Sequence, residues 1–114
     1  MDIELTKDAE YLLCLMYKAY IEKRKSKIIK EDAKYTGSAE NIHKELIPEW
    51  AEKDVAETCR ELNRAGFLKC LYADNTVCDS HFTDKAIIYM ENRFVTGLTS
   101  VLEYMAKIKS AVLF

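Results

Sequence analysis

A chain of 114 residues has room for one hydrophobic core, which excludes two independent domains. Hydrophobic residues at 49% and charged residues at 32% exclude a disordered composition, and no apolar run approaches the length of a membrane span. The formal charge of −2 excludes blanket electrostatic attraction to nucleic acid, so any phosphate-binding surface must come from local clustering of Lys and Arg.

The acidic start Met1-Asp2-Ile3-Glu4 lacks the basic head of a secretory signal, and a cytoplasmic location is expected. Leu5, Ala9, Leu12, Met16 and Ala19 then recur at alternating spacings of four and three, which places them on one stripe of a first helix from about Thr6 to Lys25. Thr6 suits its N-cap, Asp8 and Glu10 suit the positive end of its dipole, and Lys23-Arg24-Lys25 suit the negative end. Between Lys18 and Lys34 seven basic residues face three acidic ones, forming the chain's only basic cluster. A solvated helix end and a site for a nucleic-acid backbone or acidic partner both fit that cluster.

Ile28-Ile29, flanked by lysines, reads as a short first strand, and Glu31 to Thr36 as a helical turn stopped by Gly37. Ser38 restarts the chain as the N-cap of a helix through Leu46, with Ile42 and Leu46 inward. Pro48 suits the first turn of a third main helix that runs to Arg64 or Ala65 and ends at Gly66. Its buried stripe is Ala51, Val55, Thr58, Cys59 and Leu62, with Trp50 over the core near its start.

Phe67 to Ala73 and Thr76 to Phe82 are rich in aromatic, β-branched and Cys residues around Asp74-Asn75, predicting a hairpin in which Leu71 faces Cys78. Thr83 caps a further helix through Arg93, with Ala86, Ile87 and Met90 inward. After a break at Gly97, Leu98, Val101, Met105, Ile108 and Val112 repeat at heptad-like spacing, widened by Leu102 and Tyr104. This seam either packs on the first helix of its own chain or pairs with its copy; the prevalence of two-fold pairing favours a homodimer with those five residues at the interface.

The run Val55, Leu62, Gly66-Phe67-Leu68, followed after the hairpin by Phe82-Thr83-Asp84-Lys85-Ala86, resembles bacterial winged helix-turn-helix proteins over roughly residues 41–93. The chain's shortness and its terminal Met105-Ala106-Lys107-Ile108-Lys109 are similar to small YjcQ-like proteins of bacteria and their phages. The resemblance implies one mainly helical α+β domain over residues 1–114: a winged helix with a small antiparallel hairpin wing and an added C-terminal helix over 97–114. Ala86 departs from the glycine many relatives carry there.

The resemblance also implies double-stranded DNA as partner and transcription regulation as role, with the third main helix in the major groove. Lys53, Arg60, Arg64 and Lys69 would then contact nucleic acid. Against this, Glu49 to Arg64 holds five acids and three bases, and Phe67 to Phe82 holds Lys69 against Asp74 and Asp79. The same cations also suit helix-surface pairs, Lys53 with Glu57, Glu57 with Arg60 and Glu61 with Arg64. A winged-helix protein-interaction module without DNA binding is therefore the alternative.

Chemistry of other kinds finds little footing. Cys14, Cys59, Cys70 and Cys78 lie in predicted regular elements without a C-x-x-C pair, and are expected as reduced thiols packed as small hydrophobes. Cys70, Cys78 and His81 lack the spacing of a zinc site, so no metal is expected. His43 and His81 have no context marking a base beside a nucleophile, three glycines make no phosphate loop, and Glu31-Asp32 point apart on a helix. No enzymatic activity and no cofactor are expected.

Overall fold

Thr6 accepts a hydrogen bond from the Ala9 N–H at 3.1 Å and so starts α1 (Lys7–Lys25), as its hydroxyl and the acidic first turn dictate. A computed structural model describes residues 4–112 of the chain. Beyond α1 come α2 (Lys30–Ala33), α3 (Ala39–Leu46), α4 (Glu52–Arg64), β1 (Leu68–Ala73), β2 (Thr76–Phe82), α5 (Asp84–Arg93), α6 (Leu98–Ile108) and a closing 3₁₀ turn (Lys109–Ala111). The fold is α+β and mainly helical, with α4 followed by a two-stranded antiparallel wing and α6 appended at the end.

Ile28-Ile29 do not form a strand. The end of α1 folds back on itself: Lys27 N–H donates to Arg24 O at 3.0 Å and Ile28 N–H to Lys23 O at 3.1 Å. Arg24 then donates to Ile28 O at 3.1 Å, so both backbone groups of Ile28 are engaged before any sheet could recruit them. Ile29 becomes the N-cap of α2.

The predicted turn over Glu31 to Thr36 also shortens, ending at Ala33. β2 captures the next few residues, with Phe82 N–H donating to Lys34 O at 2.7 Å and the Thr36 and Gly37 N–H groups converging on Ser80 O at 3.0 and 3.1 Å. A third strand is thereby reduced to the single bridge Tyr35↔His81. Gly37 keeps a left-handed φ of +85° and comes after this bridge instead of ending the helix.

Ser38 caps α3 through the Asn41 N–H at 3.1 Å. Pro48 lies in a turn before α4, and Ala51 takes the N-cap position. Ala51 is exposed in consequence, and Ala56 replaces it in the buried stripe with Val55, Thr58, Cys59 and Leu62. Trp50 is buried in the same apolar cluster. The end of α4 is a Schellman motif: Gly66 (φ +84°) donates to Asn63 O at 3.0 Å and Phe67 to Leu62 O at 2.9 Å.

Asp74 (φ 50°) and Asn75 (φ 63°) form the two-residue turn that matches strand twist. Pairing runs Tyr72↔Val77 near the turn but Leu71↔Asp79 beyond it, so Cys78 is bulged out and exposed instead of facing Leu71. Leu68 and Phe82 consequently turn inward as partners. Thr83 caps α5, whose Ala86, Ile87 and Met90 are buried as the spacing predicts.

One apolar cluster joins these elements across α1, with Leu12, Leu13 and Met16 at its centre. The C-terminal seam belongs to it. Val101, Met105 and Val112 lie in the cluster, and Ile108 is also buried, leaving Leu98 half-buried and Leu102 43% exposed. Of the five residues expected at a dimer interface, Val101, Met105, Ile108 and Val112 are thus buried within one chain, where α6 packs on α1, and Leu98 keeps part of its surface exposed.

Candidate nucleic-acid interface

The helix that a winged-helix DNA reader would insert is α4, and its outward side is mostly acidic. Glu52, Lys53, Asp54, Glu57 and Arg64 are exposed, while Arg60 and Glu61 are half-buried. Arg60 is held by the wing: its guanidinium donates to Asn75 O at 2.5 Å, lies 3.5 Å from the Glu57 carboxylate, and sits 5.9 Å from the Tyr72 ring centroid. The two-donor fork that could read a guanine instead braces the hairpin turn against α4.

Lys53 and Arg64 carry neither an ion pair nor a side-chain hydrogen bond among the described residues, and stand at opposite ends of α4, about 16 Å apart along its axis. Lys69 is exposed on the outer sheet face opposite His81. The four predicted contacts therefore spread over helix, wing brace and sheet. Of the helix-surface pairs, Glu57 with Arg60 forms, whereas Glu61 turns to α1 and accepts from both the N–H and the hydroxyl of Thr6 at 2.8 Å.

Two of the hollows beside α4 carry most of its carboxylates. One, about 470 Å³, lies between α4 and the hairpin turn, with Glu52, Glu57 and Asp74 among its walls against Lys53 and Arg60. The other lies between α4 and the start of α1, where Asp8, Asp54, Glu57 and Glu61 line the walls without a Lys or Arg beside them. The second hollow offers a phosphate backbone carboxylates alone among its charged groups, and the first sets three carboxylates against two cations.

The basic cluster does not repair this. Its end of α1 lies about 27 Å along the helix from the contact between Thr6 and Glu61. Much of it is also engaged: Lys23 donates to Tyr35 O at 3.0 Å, Lys18 pairs with Glu22 at 3.4 Å, and Lys34 and Lys30 approach Asp84 at 2.8 and 3.7 Å. The Lys34 hydrogen bond and the two lysine charges hold the Asp84 carboxyl below its ordinary value. Lys25 and Lys27 are exposed.

Burial pushes the Cys14 and Cys59 thiols up to about 12, which removes their thiolate at neutral pH. Sequence reasoning missed a third concavity, of about 420 Å³, bounded by α1, α2 and α3. Its walls come from three successive helices within residues 16–46, and periodicity within one helix carries no signal of how they pack together.

No family model matches the chain, and neither a curated protein nor a solved structure matches it. What defines its class is architecture: a mainly helical α+β domain with a two-stranded wing after α4, a helix whose outward side carries more acids than bases.

Proposed function

We propose that this domain is a protein-interaction module that uses the winged-helix framework without reading duplex DNA through α4. The observation that carries the reading is the engagement of Arg60 by Asn75 and Glu57 within a surface where Glu52, Asp54, Glu57 and Asp74 outnumber Lys53 and Arg64. Such a face repels phosphates and complements a basic protein surface.

The test compares wild type with Glu57→Lys and Lys53→Glu/Arg64→Glu. Fluorescence anisotropy with random and selected DNA duplexes at low salt should give no binding that depends on Lys53 and Arg64. Affinity capture should yield a basic protein, eluted by salt and lost with Glu57→Lys. Recovery of a specific duplex whose binding falls steeply with salt and disappears with Lys53→Glu/Arg64→Glu would overturn the reading in favour of a DNA-binding transcriptional regulator.

A further inference from the structure

The concavity between α1, α2 and α3 combines an apolar floor with two opposite charges. Met16, Ala33 and Ile42 form the floor, each almost completely removed from solvent. Lys23 stands on the α1 side and Glu45 on the α3 side, the only charged residues in the lining. Both share one cavity, yet they form no ion pair with each other. Lys23 is pinned at the rim by one hydrogen bond to Tyr35 O at 3.0 Å, which leaves the other donors of its ammonium unused. The Glu45 carboxylate has neither a hydrogen bond nor an ion pair among the described residues, and the same holds for the Asn41 side-chain amide one helical turn earlier.

A cavity with a dry floor and separated charges of opposite sign on its walls is matched by a molecule with the reverse arrangement. From these facts we infer that the cavity binds a small zwitterion with a compact apolar arm, a free α-amino acid with an aliphatic or aromatic side chain. Its ammonium donates to Glu45 and to the Asn41 side-chain oxygen, its carboxylate accepts from Lys23, and its apolar arm lies against the partly exposed Ala19, Tyr20 and Leu46 above that floor. The volume of about 420 Å³ lies near the lower end of ligand pockets, which suits such a molecule better than a nucleotide or a cofactor. A simple anion or cation would engage only one of the two wall charges, and a purely apolar ligand neither.

The experiment is a titration of the intact ¹⁵N-labelled protein with L-leucine, L-methionine and L-phenylalanine, tracking the backbone amides of Thr36, Asn41 and Glu45. N-acetyl-L-leucine, which lacks the ammonium, and L-leucinamide, which lacks the carboxylate, serve as controls. Saturable shifts confined to these amides are expected, with each capped leucine binding about tenfold or more weakly than leucine itself. Glu45→Gln, a change at an exposed position, should lower leucine to the level of its N-acetyl form while leaving the N-acetyl form unchanged. The inference is overturned if none of these amino acids gives saturable shifts, if capped and free leucine bind alike, or if the shifts fall on the wing at residues 72–76.

Discussion

Lys27 holds a left-handed backbone, φ 65°, at the C′ position of α1, where helices of this ending favour glycine. A side chain there is strained by about 1 kcal/mol. Lys27→Gly should therefore stabilise the protein by about that amount, read as a raised urea midpoint at unchanged slope. Glu10 tells the opposite story, of a residue held by many partners. Tyr104 donates its hydroxyl to the Glu10 carboxylate, Arg93 lies 3.5 Å away, and the Arg93 guanidinium stacks 4.3 Å from the Tyr104 ring centroid. Burial raises the Glu10 carboxyl, but the Tyr104 hydrogen bond together with the Arg93 and Lys7 charges outweighs it and holds the group below its ordinary 4.5. A lowered carboxyl stabilises the fold fully above that value and loses its contribution as pH falls through the folded-state value. Glu10→Gln should flatten the fall of Tm in acid. At the other limit, burial and the Glu10 hydrogen bond push Tyr104 from 10.0 up to about 12, so its contribution holds below pH 10 and is lost toward 12. Tyr104→Phe should cost about 1–3 kcal/mol and move Glu10 upward, as a carboxyl titration by NMR would record.

At the scale of elements, α4 and the wing are tied by polar contacts midway along β1 and at the hairpin turn. Asn63 accepts the Cys70 N–H at 3.0 Å and so covers a donor on the otherwise open edge of β1, while Arg60 grips the turn at Asn75. Asn63→Ala leaves that N–H without its partner and should cost about 1–2 kcal/mol by chemical denaturation. Arg60→Ala should cost less in global stability and act locally, with faster amide exchange at residues 73–76 than in wild type. Unchanged exchange there would show that the brace does not restrain the turn. Gly66 links the two elements, and Gly66→Ala should destabilise by about 1–2 kcal/mol because its φ of +84° strains any side chain. Its added Cβ would also lie 3.1 Å from the Lys85 side chain.

Across the whole molecule, the decisive contact is α6 on α1. Val101 is completely buried there, joined by Met105 and Val112. Val101→Ala should cost about 1–3 kcal/mol through lost apolar burial and the cavity it leaves. Because the contact is intrachain, the Tm of wild type and variant should not depend on protein concentration; a Tm that climbs with concentration would tie the seam to association.

Legibility in the sequence tracked the range of the interaction. α1, α3, α5 and the wing could be read from Thr6, Ser38, Thr83 and Asp74-Asn75, because a cap or tight turn is decided by groups within four residues of each other. The charge deficit of α4 was equally readable, since carboxylates on a helix's outward face need no partner to be counted. Tertiary structure alone decided that Arg60 braces the wing, that Glu61 turns to Thr6, and that Cys78 bulges out of register. It also decided that the C-terminal stripe is covered by α1 and that Lys23 and Glu45 line one cavity. An apolar stripe announces that something must cover it, without saying what. Coverage is chosen by whichever surface the folded chain brings alongside, and spacing within a single helix cannot encode that choice.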